Sequence, residues 1–138
     1  MKTRNTNSGQ IPEPTKSELE ILQVLWEKGP SNVRTVNDVL NEQRRDVNYS
    51  STLKLMQIML DKGLLEREIQ GHVHVYQPAH PRELMQAQVI QNVVDLAFSG
   101  DASSLVLRAL GSGGTSPEAL AEIKEMIRQI EEQSKNKP

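Results

Sequence analysis

Apolar residues recur at intervals of three and four over two long stretches of the chain, and at intervals of two over a short stretch between them. The first spacing predicts amphipathic helices and the second predicts strands. Thr15-Lys16-Ser17-Glu18 is a capping box, in which the Thr hydroxyl takes a free backbone N–H and Glu18 reaches back. Leu19, Leu22, Leu25 and Trp26 then mark one helix face, and Gly29-Pro30 ends it. Ser31-Asn32 offers a second N-cap, followed by Val33, Val36, Val39 and Leu40 and an end near Gln43. Residues 44–49 are polar and read as a turn. Ser50 is placed to cap a third helix that runs to about Lys62, with Gly63 as the residue that stops it. Thr52, Leu55, Met56 and Met59 form its inner face, while Ser50, Ser51, Lys54 and Gln57 lie elsewhere. Trp26, Leu22, Val36, Met56 and Met59 are expected in the core.

After Gly63 the period changes. Residues 64–69 and 73–77 predict two short strands joined by Gln70-Gly71-His72. Val73, Val75 and Gln77 point one way, and His72, His74 and Tyr76 the other. Pro78 and Pro81 end the pair. The remainder is helical: residues 82–98, then 103–110, then a helix opened by Ser116-Pro117 and striped by Leu120, Ile123, Ile127 and Ile130. The expected class is therefore mainly α. Residues 1–13 form a polar tail, 14–80 a winged helix-turn-helix of three helices and a β-hairpin, 81–133 a helical dimerisation region, and 134–138 a second tail.

Composition narrows the chemistry. The chain has no cysteine, which excludes disulfides, thiolate metal sites and a cysteine nucleophile. No apolar run is long enough for membrane insertion, and the polar start carries no secretory pattern, so a cytoplasmic protein is expected. The formal net charge of −2 argues at first sight against nucleic acid. The charge is uneven, however. Residues 1–82 hold 11 Lys and Arg against 10 Asp and Glu, and residues 83–138 hold 5 against 8. The acidity belongs to the last helices.

In a winged helix the third helix enters the DNA major groove and the wing lies along the backbone or in the minor groove. The short side chains of Ser50 and Ser51 suit close approach, and a helix N-terminus favours phosphate. Lys54 and Gln57 are long enough to reach base edges. Arg34, Arg44, Arg45, Tyr49, Arg67 and His72 are the candidate backbone contacts. The plain alternative is a winged-helix protein–protein adaptor whose polar third helix does not touch DNA. The C-terminal stripes cannot all be hidden against so small a domain, so a homodimer is expected. Leu84, Ile90, Val94, Leu105, Leu107, Leu120, Ile123 and Ile127 are its candidate interface. Two-fold pairing would place two reading helices about 34 Å apart, on a double-stranded operator with inverted symmetry.

Other motifs carry less. Ser51-Thr52-Leu53-Lys54 fits an SxxK pattern, but the motifs that accompany it in serine enzymes are missing and the chain is too short for that fold. His72 and His74 could face one way on a strand with His80 nearby, an incomplete metal set whose plain reading is solvated wing histidines. Gly111-Ser112-Gly113-Gly114 lacks the Lys-Ser/Thr of a phosphate loop and reads as a linker. No enzyme activity, cofactor or metal is expected.

Taken in order, Pro14-Thr15, Glu18, Ile21-Leu22, Leu25-Trp26, Gly29-Pro30, Val33-Arg34, Val36, Tyr49-Ser50-Ser51-Thr52, Lys62-Gly63-Leu64-Leu65, Arg67, Gly71, Tyr76 and Pro78 resemble the BlaI/MecI/CopY family of penicillinase-type repressors. Asp95-Leu96-Ala97-Phe98-Ser99-Gly100, Ser104-Leu105-Val106-Leu107 and Ser116-Pro117-Glu118-Ala119-Leu120 extend the likeness to about residues 12–131. The resemblance implies a dimeric winged-helix repressor of inverted-repeat operators. It implies base contacts from the start of the third helix, here Ser50, Ser51 and Lys54, and dimerisation through the last helices. Two departures stand out. Copper-responsive members use a C-terminal cysteine cluster, and this chain has none. Members inactivated by proteolysis are cut at an Asn-Phe bond after Leu-Val-Leu, whereas Leu107 is followed here by Arg108 and Ala109. The resemblance leaves open a membrane-bound metalloprotease sensor as a partner, with a different bond specificity.

Overall fold

The computed structural model describes residues 11–43 and 46–136. The chain forms two compact units that divide after Asn92. In the first unit, helices α1 (Lys16–Lys28), α2 (Val33–Gln43) and α3 (Tyr49–Lys62) precede strands β1 (Leu65–Gln70) and β2 (Val73–Pro78). Helix α4 (Arg82–Ala97) crosses the division, and α5 (Ala102–Gly111) and α6 (Pro117–Lys135) complete the chain.

The local signals explain where the elements begin and end. Thr15 caps α1, and both halves of the capping box are present. The Asn32 side chain caps α2 by accepting from the Thr35 N–H at 2.9 Å. Helix α3 starts two residues earlier than expected. Asn48, not Ser50, is its N-cap, and Ser50 lies in the first turn, where its hydroxyl donates to Asn48 Oδ1. Gly63 ends α3 in the left-handed region at φ 87°, and its N–H turns back to Leu60 and Met59 carbonyls. Only glycine takes that φ without a steric cost. β1 and β2 pair antiparallel from Leu65↔Pro78 to Gln70↔Val73, so Gly71 and His72 alone make the turn.

The core of the first unit is drawn from every one of its elements. Ile21, Leu22 and Leu25 of α1 meet Val36 and Leu40 of α2, Met56 and Met59 of α3, and Leu64, Leu65 and Tyr76 from the hairpin region. Trp26 is only partly buried, and the Arg82 guanidinium lies 5.4 Å from its ring centre. Tyr76, which the sequence reading did not place in the core, is buried with 1% of its surface exposed. Two further residues extend the core beyond the expected limits. Ile11, in the segment read as a tail, is packed into it, and so is Met85 from α4.

A bridge outside the hairpin ties the wing down. The Ser31 N–H donates to the Tyr76 carbonyl at 3.0 Å, and the Tyr76 N–H donates back to Ser31 at 2.8 Å. The link between α1 and α2 therefore acts as a third, one-residue strand. A part-buried ion pair joins the ends of two helices: Lys62 Nζ sits 2.7 Å from the buried Glu18 Oε1. In the second unit Asp101 caps α5 and Ser116 caps α6. Neither helix has a buried residue, and large apolar side chains including Leu96, Leu107, Ile127 and Ile130 stand exposed.

Candidate nucleic-acid interface

Three elements converge on one side of the first unit: the start of α2, the outer face of α3, and the wing. On α3, Thr52, Met56 and Met59 are buried, and the exposed Ser50, Lys54 and Gln57 follow one another at spacings of four and three. That spacing stacks them in one stripe opposite the core. Ser51 is also exposed, one residue around the helix. The stripe continues four residues on with Asp61, whose carboxylate would repel phosphate. The chemistry suited to DNA is therefore confined to the first two to three turns.

A cleft of about 400 Å³ lies between these elements, lined by Arg34, Tyr49, Gln57, His72 and His74 among others. The sequence reading took Arg34, Tyr49, Gln57 and His72 from four different segments, and the fold brings them to one place. Arg34 stands over the Tyr49 ring at 4.8 Å from its centre, a cation–π contact that holds both side chains at the start of α3. Arg67 is exposed on β1, opposite Tyr76 in the register. Glu66 and Glu68 alternate with it and so point to the other face of the wing. The wing thus has one side bearing Arg67 and His74, and an acidic side bearing Glu66 and Glu68. Arg44 and Arg45 lie outside the described residues. His80 stands apart from the wing histidines, its Nε2 donating to the Gly63 carbonyl at 3.0 Å. Among the described residues no group of three or more His, Asp or Glu is arranged to hold a metal ion.

What sets the position of α3 is a hydrogen-bond clasp across the turn that precedes it. Asn37, 4% exposed on α2, donates from Nδ2 to the Thr52 hydroxyl at 2.9 Å and to the Val47 carbonyl at 3.0 Å. The Val47 carbonyl can only accept, which fixes the way the Asn37 amide faces. One turn further along α2, Asn41 holds both backbone groups of Val47, accepting at 2.6 Å and donating at 3.1 Å. Sequence reasoning passed over this clasp, along with Glu18–Lys62 and Ser31–Tyr76. A sign was available. Asn37 falls on the same helical face as Val33, Val36 and Leu40, and a polar residue in an apolar arc needs an internal partner.

The expected interface residues of the second stretch divide. Leu84, Ile90, Leu107, Leu120 and Ile127 are exposed, and Leu105 and Ile123 are partly so. Val94 differs from them: it is 1% exposed and is covered by its own chain. Leu107, Arg108 and Ala109 are exposed and lie within α5. No described helix is long and apolar enough to cross a membrane.

A family model described as penicillinase repressor matches residues 14–129. The chain is 27% identical over 130 residues to the penicillinase repressor of Bacillus licheniformis, a match that covers 93% of this chain and 97% of that protein. Two solution structures are similar to it over 54% of this chain and 90% of theirs: Bacillus licheniformis BlaI in monomeric form with the blaP half-operator (TM-score 0.47, 23% identity) and the DNA-binding domain of the repressor BlaI (TM-score 0.46, 26% identity). With most of its length inside that family model, from the capping box of α1 to the apolar stripe of α6, the chain belongs to the penicillinase repressor family.

Proposed function

We propose that this protein is a sequence-specific DNA-binding transcriptional repressor that acts as a homodimer on inverted-repeat operators. The observation that carries this reading is the exposed Ser50–Lys54–Gln57 stripe, set beside a cleft that holds Arg34, Tyr49 and His72. Ser50, Ser51, Lys54 and Gln57 read base edges in the major groove. Arg34, Tyr49, Arg67 and His72 hold the phosphate backbone, with Arg44 and Arg45 as further contacts. It carries out no catalysis of its own. The dimer forms through the apolar side chains left open on the last helices, including Leu107, Leu120 and Ile127. This supports pairing because an exposed apolar surface of that kind is costly in water.

Repression in the cytoplasm is relieved by proteolysis in the C-terminal region, by a membrane-bound metalloprotease sensor acting around Leu107, Arg108 and Ala109. Those residues are helical, so cutting there requires α5 to open first. A short helix with no buried residue is suited to that.

The test is a titration against a duplex selected from a random pool, in rising salt. Counterion release predicts a fall in affinity of about a thousandfold or more between 50 and 200 mM salt if six or more phosphates are neutralised. The selected duplex should carry an inverted repeat and outcompete scrambled DNA at every salt concentration. Binding that is absent at low salt, or blind to sequence, would sink the reading and favour a protein–protein adaptor.

A further inference from the structure

The clasp at the turn before α3 reaches further than holding two helices together. Asn37 spends its two amide hydrogens on two different parts of the reading element: Val47, in the turn, and Thr52, in the first turn of α3. The first bond fixes where the helix begins. The second fixes how far α3 is rotated about its own axis, because Thr52 projects inward from between the outward-facing Ser51 and Lys54. We infer that the Asn37–Thr52 hydrogen bond is a specificity-determining device, positioning Ser50, Lys54 and Gln57 so that one DNA sequence is told from another. This rests on the DNA-reading function proposed above.

The argument is geometric. Side-chain tips lie about 5–6 Å from a helix axis, so a rotation of about 10° moves them by about 1 Å. Hydrogen bonds to base edges tolerate only a few tenths of an ångström, whereas an ion pair with phosphate in water depends weakly on distance. A loosened rotation therefore costs base reading and leaves phosphate attraction in place. Apolar packing alone is a poor lock for that rotation. The inner face of α3 rests on Met56 and Met59, whose flexible side chains repack easily. Thr52 is the stiff, polar member of that face, 2% exposed, and Asn37 is the amide donor to its hydroxyl.

The experiment compares the wild-type protein with Thr52→Val and Thr52→Ser. Valine keeps the shape and removes the acceptor, and serine keeps the acceptor. The readouts are the affinity ratio between the selected duplex and a scrambled one, the salt slope on scrambled DNA, and thermal unfolding. The expected result for Thr52→Val is a ratio about tenfold lower, within the discrimination that one base pair carries. Its salt slope and scrambled-DNA affinity should be unchanged, and Thr52→Ser should hold the wild-type ratio. If Thr52→Val does not stay folded at the assay temperature, Asn41→Ala replaces it. Asn41 is exposed and secures the same turn, and its loss should lower the ratio at least threefold. An unchanged ratio in a folded variant overturns the inference, as does an equal loss on both duplexes, which would make the clasp a stability element only. A wild-type protein with no preference between duplexes would instead fail the DNA-reading function itself, and that is seen before any substitution is compared.

Discussion

The DNA reading proposed above turns most directly on Lys54. This residue is exposed on the outer stripe of α3, one helical turn from Ser50 and less than one from Gln57. Replacing it with alanine should cost about 1–3 kcal/mol on the preferred duplex and relax the preference at one base position. An equal loss on every sequence, measured by competition binding, would make it a phosphate contact instead. A second residue-scale prediction concerns Glu18. Its carboxylate is buried, and its partner Lys62 is about a third exposed. Lys62→Met should destabilise the fold by about 1–3 kcal/mol, because the carboxylate is left buried with one partner fewer. Urea melts should show Lys62→Met to be less stable than the double variant Lys62→Met/Glu18→Gln, in which no charge remains. These buried polar residues were only partly legible in the sequence. The capping box announced Glu18 through Thr15, three residues away. Lys62 lies 44 residues from Glu18, and no local pattern connects them.

At the scale of elements, helix termini were the most readable feature, because a cap is a local event between neighbours. Thr15, Asn32, Ser116 and Gly63 all act where the sequence placed them. Asn48 displaced Ser50 as the α3 cap, since Asn and Ser differ little in N-cap preference and the turn held by Asn41 decides between the two positions. Gly63→Ala should cost about 1 kcal/mol, from the left-handed φ alone, because nothing crowds the added methyl. Helix α5 makes a pH-dependent prediction. The Asp101 carboxyl is held below its ordinary range by the Ser104 hydroxyl, with the backbone N–H groups of Ser104 and Ser103 adding to this. A carboxylate with a depressed pKa lends stability above its unfolded value and loses it as pH falls through the folded one. Amide exchange in α5 should therefore quicken as pH drops below about 4, after correction for the intrinsic rate. Asp101→Ala should show the faster exchange already at neutral pH.

For the whole molecule, the open question is what covers the apolar side chains of the second unit. Leu96 is 87% exposed and Leu107 69% in the single chain. Sedimentation should give a dimer at micromolar concentration, and Leu107→Glu or Ile127→Glu should shift it toward monomer without unfolding α1 to α3. Where the chain is cut also matters. Met85 belongs to the core of the first unit, which extends to Asn92. A fragment ending at residue 92 should fold as a monomer and bind DNA weakly. One ending at residue 81 should be less stable by about 2–5 kcal/mol, the cost of removing a buried methionine.

By itself the sequence determined the order and type of the elements, most of their ends, the polar stripe on α3 and its membership of a repressor-like pattern. All of these depend on periods and caps that act within a few residues. The net charge of −2 ceased to be an objection once its uneven distribution along the chain was seen. Only the tertiary structure decided that Tyr76 is fully buried while Trp26 is only partly so, that Ile11 and Met85 join the core, that Ser31 anchors the wing, and that Asn37 reaches Thr52. Each of these is a contact between distant segments. Its partner is chosen by how helices and hairpin pack together, and by the cost of leaving a buried polar group without a hydrogen bond.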